Sequence, residues 1–222
     1  MTDEAAPTQH VVAEPRWPMA TAVLVLIGAT LAAPSQQYIA LVWTIAIIEA
    51  VLLVALIIGD PGRIDRRSKR LTLLGSLLVA FLIGAALLGT AVLVRELVIG
   101  GSITNEPIPL LIAGAKVWLT NNIAFALLYW QFDGGGPAER AYGLPRYPDF
   151  AFPQLTNPEL APPDWRPKFI DYLYIGFTTA NAFSPTDTLP LTPWAKVAMA
   201  SQALISFVIV GLVIARAVNV FS

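Results

Sequence analysis

Long apolar runs separated by short polar breaks dominate this chain. Runs at residues 17–33, 38–59, 71–99, 110–130 and 194–221 carry few charges, and each approaches or exceeds the roughly 20 residues an α-helix needs to cross a hydrocarbon core. The pattern predicts an all-α, polytopic membrane protein with about five transmembrane helices. Their limits are written in the breaks. Pro34, Ser35, Gln36 and Gln37 turn the chain after the first run, and Asp60-Pro61-Gly62 stops the second. Gly100, Gly101 and Ser102 close the third, Pro107 and Pro109 precede the fourth, and Thr192-Pro193 offers the last an N-cap and a first-turn proline. The third run holds Ala80 with Gly84 and Ala85 with Gly89, a small-xxx-small spacing that predicts close approach of another helix.

Residues 1–16 are polar and predict a disordered tail, with His10 in solvent. Residues 131–167 are rich in Gly, Pro and aromatics, which excludes a long helix or a central strand and predicts an extended loop packed over one mouth of the bundle. The chain thus divides into a tail (1–16), a four-helix transmembrane region (17–130), a Pro/Gly-rich loop (131–167) and a final segment (168–222). That segment opens with FIDYLYIGFTTANA, apolar at helical spacing for about three turns and too short to span. Residues 181–188 then lack any apolar run before the last helix begins. Irregular backbone at membrane depth is tolerated only where protein buries it or water lines it. A re-entrant half helix is the expectation.

Composition narrows the chemistry. With 56% hydrophobic and 13% charged residues the chain belongs in a lipid bilayer, as a multi-pass protein of the cell's inner (plasma) membrane. The absence of cysteine excludes disulfides and thiolate catalysis, and a single histidine excludes a multi-histidine metal site, so no cofactor is expected. An acidic, proline-bearing start argues against a signal peptide. Nothing points to nucleic acid. Glu49, Asp171 and Asp187 have no spacing that suggests catalysis, so an enzyme is not expected.

Ionisable groups inside a span need a partner, water or a role. Glu49 lies midway along the second run and Lys116 a third of the way into the fourth, which also holds Asn121 and Asn122. Two readings are open: a structural ion pair between Glu49 and Lys116, or an ion- or proton-handling site built from Glu49, Lys116, Asn121 and Asn122. Adjacent asparagines point about 100° apart, so at most one shares a cavity with Lys116. Trp118, Tyr129 and Trp130 are candidate interface anchors. Arg63, Arg66, Arg67, Lys69 and Arg70, together with Arg140, Arg146, Arg166 and Lys168, place the N-terminus on the cytoplasmic side by the positive-inside rule.

The stretch FTTANAFSPTDTLPLTPWAK resembles the pore signature of the potassium-channel superfamily, carried by Phe177, Thr178, Thr179, Asp187, Pro190, Thr192 and Lys196. The resemblance covers the last quarter of the chain. It implies a pore helix, a filter-like stretch (Thr178, Thr179, Ala180, Asn181, Ala182, Phe183, Ser184, Pro185, Thr186 and Asp187) and a pore-lining helix whose polar side carries Ser201, Gln202 and Ser206. Thr178 and Thr179 would present hydroxyls and carbonyls, and Asp187 a charge at the mouth. It also implies a homo-oligomer, a tetramer if pore-forming, with a monovalent cation as the passing ion. The chain departs from the signature where the filter glycines belong, reading Ala182 to Thr186 with Ser184 and Thr186 in their places. Glycine lets carbonyls converge on one axis, and Pro185 removes an N–H. This departure keeps a second reading open, a non-conducting scaffold or partner-binding subunit. More of the chain looks like a family of bacterial integral-membrane proteins of unknown function, matched at Phe152-Pro153, at Asp171 to Tyr174 and at Asp187-Thr188. Positive-inside counting turns the pore loop toward the cytoplasm, whereas potassium channels face theirs outward.

Overall fold

A computed structural model describes residues 11–32, 39–100, 106–185 and 187–221. His10, residues 34–37, Gly101, Ser102 and Thr186 lie outside the described residues. The long helices are α1 (Trp17–Leu31), α2 (Ile39–Gly59), α3 (Lys69–Ile99), α4 (Pro107–Phe132) and, at the end of the chain, α8 (Pro193–Phe221). Four of these, α2, α3, α4 and α8, are long and apolar enough to cross a membrane, and α1 is a shorter apolar helix of 15 residues. Their outer faces expose Ile58, Val98, Ile112 and Leu204, as a lipid-facing surface requires.

The breaks do what their residues demand. Pro18 sits in the first turn of α1, and Pro107 and Pro109 in that of α4, where the missing N–H groups have no helical partner to lose. Gly62 turns the chain after α2 with φ of +81°, and Gly100 ends α3 with φ of +87°. Thr192 precedes α8, yet its hydroxyl finds no partner, so the expected side-chain cap does not form and only its carbonyl enters the helix, accepting from Lys196 N–H.

Helix α4 is the axis of the bundle. It packs against α1, α3, α8 and α7 (Phe169–Ala182), while α2 packs against α1 and α3. Tyr129 and Trp130 are consequently buried, and the expectation that they anchor the chain at the lipid interface is corrected: they face the protein because α4 is surrounded. Gly84 and Gly89 likewise meet nothing among the described residues. Close approaches occur instead at other glycines, among them Gly75, against Gln131, and Gly114, against Val213.

Residues 131–167 fold over one end of the bundle in short pieces: a 3₁₀ turn at Asp133–Gly135, α5 (Pro137–Arg140), β3 (Phe150–Ala151) and α6 (Pro153–Thr156). Two two-residue strands precede β3 in the chain. Residues 11–16 are not a free tail, contrary to the expectation: β1 (Glu14–Pro15) pairs antiparallel with β2 (Arg63–Ile64), and Val12 N–H bonds the carbonyl of Ala141. The reason is electrostatic as well as backbone pairing. Arg16 reaches the Asp60 carboxylate at 3.0 Å and its carbonyl at 2.6 Å, and both side chains are buried.

Removing one partner of a buried pair strands the other charge, at a cost of about 3 to 5 kcal/mol, whereas a half-exposed pair is worth about 1 kcal/mol or less. Asp60→Ala is therefore expected to destabilise the detergent-solubilised protein by several times as much as Glu139→Ala, which breaks only the half-exposed bridge to Arg67. Equal losses in the two variants would contradict this account of the N-terminal segment.

Candidate functional site

The 14 residues of α7 rise about 21 Å, short of a hydrocarbon core. Its depth is fixed by contacts along its length. Phe169 at its start packs edge-on against Trp130 near the end of α4, Gly176 lies against Asn122, and Phe177 meets Trp118. It therefore runs antiparallel to α4, down into the bundle. Just past its end, the Phe183 ring sits 5.5 Å from that of Phe207, about 21 Å along α8 from Pro193. The chain then returns to the side it came from. β4 (Leu189–Pro190) pairs with Phe150–Ala151, Leu191 N–H bonds Asp149 carbonyl, and Trp194 Nε1 donates to the Asp149 carboxylate at 2.8 Å. About six residues cover that return, which leaves little slack in an extended chain.

The upper end of α7 is held by one acid distant in sequence and one in its own first turn. The Glu14 carboxylate accepts from Phe169 N–H and, at 2.8 Å, from Trp130 Nε1; Asp171 accepts from Lys168 N–H at 2.7 Å. These negative charges lie at the positive end of the helix dipole. Burial pushes the Glu14 carboxyl above the usual carboxylate range, with its two donors pulling the other way. Tyr172 donates to Asp133, and its ring lies beneath the Arg140 guanidinium at 4.9 Å; Arg140 in turn donates to the carbonyls of Trp130 and Asp133. Gly134, Gly135 and Gly136 all have positive φ, and at Gly136 a Cβ would come within 3.0 Å of Gln131 carbonyl oxygen. Only glycine allows the sharp turn that brings Asp133 under Tyr172.

The middle of α7 sits in a polar seam between α4 and α8. A Cβ on Gly176 would stand 3.0 Å from Asn122 carbonyl oxygen and 3.1 Å from its side-chain Oδ1, so glycine is what admits this approach. Gln202, fully buried on α8, donates to Gly176 carbonyl at 2.8 Å and accepts from Tyr129 hydroxyl at 2.6 Å. Ser206 is buried on the same helix. Gln202 therefore ties α8 to its own chain and Ser206 is turned inward, so the expected water-facing stripe is reduced to Ser201, which is exposed. A glycine inside an amphipathic helix, between Ile175 and Phe177, was the available sequence signal for this seat.

The filter-like residues divide into two groups. Thr179 and Ala180 are buried, the Thr179 hydroxyl having no partner, and Thr178 bonds back to the carbonyls of Tyr174 and Ile175. Neither threonine presents a free hydroxyl at the surface of the chain. Asn181, Ala182, Phe183, Ser184, Pro185 and Asp187 are exposed. Asn181 bonds its own helix at Phe177 carbonyl, and Phe183 caps α7 in the left-handed region with φ of 54°. It is the sole non-glycine residue there among those described, an uncommon conformation for a bulky side chain.

Glu49, Lys116, Asn121 and Asn122 are not brought together. Glu49 is buried on α2, where one carboxylate oxygen lacks a partner, and among the described residues no ion pair joins it to half-buried Lys116. The expected pair fails because α2 and α4 use separate interfaces. The asparagines serve different neighbours, as their angular separation requires: Asn121 donates to Thr90 of α3 at 2.7 Å, while Asn122 faces α7.

Replacing Gln202 leaves the buried Tyr129 hydroxyl without its acceptor and takes the cross-helix donor from the Gly176 carbonyl. Gln202→Leu is expected to cost about 1 to 3 kcal/mol in unfolding measurements in detergent. Tyr129→Phe is expected to cost distinctly less in the Gln202→Leu background than in the wild type. Additive losses would show that the seam is not a coupled unit. Compared with family models, with curated proteins and with solved structures, the chain matches none.

Proposed function

We propose that this chain is one subunit of a pore-type membrane assembly, in which re-entrant segments from several copies meet around a common axis. The observation that carries the reading is the exposure of residues 181–185 beside Phe207, at the depth where α7 ends. Non-helical backbone at membrane depth needs either protein over it or water beside it. One chain supplies neither, and a ring of chains supplies both. Closed rotational symmetry is the ordinary solution for identical subunits, and four copies match the potassium-channel superfamily that residues 177–196 resemble.

A cation is the fitting occupant. The C-terminal end of α7 would point its partial negative charge toward the centre of such an assembly, the arrangement that stabilises positive charge in a low-dielectric site. Asp187 adds an acidic group on the return limb. Positive-inside counting places residues 63–70 and the mouth of the loop on the cytoplasmic side of the plasma membrane. The reading assigns no catalysis to the chain.

A second reading is favoured by the filter positions themselves. Ser184 and Thr186 stand where glycines belong, Pro185 lacks an N–H, and the Thr179 hydroxyl is turned inward. On that reading the re-entrant segment is retained as a packing element of a non-conducting oligomer or partner-binding subunit.

Reconstituted into vesicles under a potassium or sodium gradient, the protein is expected to pass monovalent cations, and Asp187→Asn to reduce the flux severalfold. Absence of flux from a stable oligomer would support the scaffold. Absence of flux from a monomer would overturn the pore reading.

A further inference from the structure

Beside the foot of α3 lies an open groove of about 520 Å³. Lys69, Thr72, Leu73 and Ser76 line one wall, at the i, i+3, i+4 and i+7 positions of a single helix face. Arg67, Ser68, Gly135 and Glu139 complete its lining. The Arg67 guanidinium is held in place rather than loose: it pairs with Glu139 at 3.0 Å and lies 4.1 Å over the Tyr142 ring. Its side chain still remains about half exposed.

The surroundings state what such a groove can hold. Residues 63–70 bring Arg63, Arg66, Arg67, Lys69 and Arg70 against Asp65 alone, a strongly positive collar around a helix long enough to span. A spanning helix that begins at Lys69 puts this collar at the level of lipid headgroups. Immediately below, Leu73 and Leu77 are exposed on the outside of the bundle, facing where acyl chains run. The positive-inside bias accounts for basic residues in the loop. It does not account for a groove lined by two of them together with Thr72 and Ser76, beside the exposed Leu73 and Leu77.

We propose that this groove binds an anionic phospholipid, its phosphate between Arg67 and Lys69, its headgroup hydroxyls against Thr72, Ser76 and Glu139, and its chains along Leu73 and Leu77. Basic pockets at this level attract anionic lipid with about 1 kcal/mol per positive charge, which is about fivefold in affinity. The single acid in the groove opposes the phosphate and sets the balance between retention and release. The inference is independent of whether the assembly conducts.

The test uses the full chain, purified in detergent and stripped of lipid, with native mass spectrometry and the thermal midpoint as readouts. Phosphatidylglycerol and phosphatidylcholine of identical chains are compared, with inorganic phosphate as the soluble control. Selective retention of phosphatidylglycerol is expected. Exposed Lys69→Gln should weaken that retention about fivefold, Glu139→Gln should strengthen it by a similar factor, and Arg95→Gln, at the other end of α3, should leave it unchanged. Equal retention of the two lipids overturns the proposal. So does an equal shift of the midpoint by inorganic phosphate, which would mark an adventitious ion only, or equal losses in Lys69→Gln and Arg95→Gln.

Discussion

A backbone polar group buried away from water must find its partner inside the protein, and the ends of a short, packed helix such as α7 carry groups that its own turns cannot satisfy. Much of this structure can be understood as a response to that constraint. The upper end of α7 receives carboxylates from Glu14 and Asp171, which satisfy the N–H groups of Phe169 and Lys168. Along its length Gly176 allows contact with α4, and Gln202 reaches across from α8 to the Gly176 carbonyl. Its lower end is capped by Phe183 N–H on the Thr179 carbonyl. What the single chain leaves exposed is the stretch 181–185, where the return limb begins.

The same constraint explains why the polar residues above the bundle form one connected body. Glu14, Trp130, Asp133, Arg140, Asp149, Tyr172 and Trp194 come from five separate parts of the sequence, yet each touches another through a side chain or its backbone. Asp149 receives Gly134 N–H and Trp194 Nε1, so it links the turn after α4 to the start of α8. Tyr129, Phe150, Tyr172 and Phe152 pack edge to face beneath this network. Aromatic pairs of this kind add about 0.5 to 1.5 kcal/mol each beyond burial. The loop over the bundle is thus the clamp that keeps α7 and α8 in register with α4.

Much of the fold was legible because helices that must span lipid announce themselves by length. The runs at 38–59 and 71–99 correspond closely to α2 and α3, and the short helix α7 was readable from FIDYLYIGFTTANA. Side-chain partnerships were not legible in the same way. Glu49 and Lys116 share a depth in the sequence, but depth carries no information about which helices touch. Tyr129 and Trp130 have the composition of interface anchors, and only the crowding of α4 turns them inward. Residues 14–16 lack any periodicity a two-residue strand could show, so the burial of Glu14 and Arg16 had no local signal. Gln202 was visible as a polar residue in an apolar helix; that it faces α7 rather than a pore depends on Gly176, in a different segment.

The central claim is that the chain enters the membrane at Phe169, turns near Phe183 and leaves on the same side. Cysteine scanning tests it directly, because the sequence contains no native cysteine. Single cysteines at Ser68 and at Ser184, probed in sealed membranes with an impermeant thiol reagent, should both react from one face, with Ser184 slower because it lies deeper. Reaction of Ser184 only from the face opposite Ser68 would mean that α7 crosses the bilayer, and the account would fail.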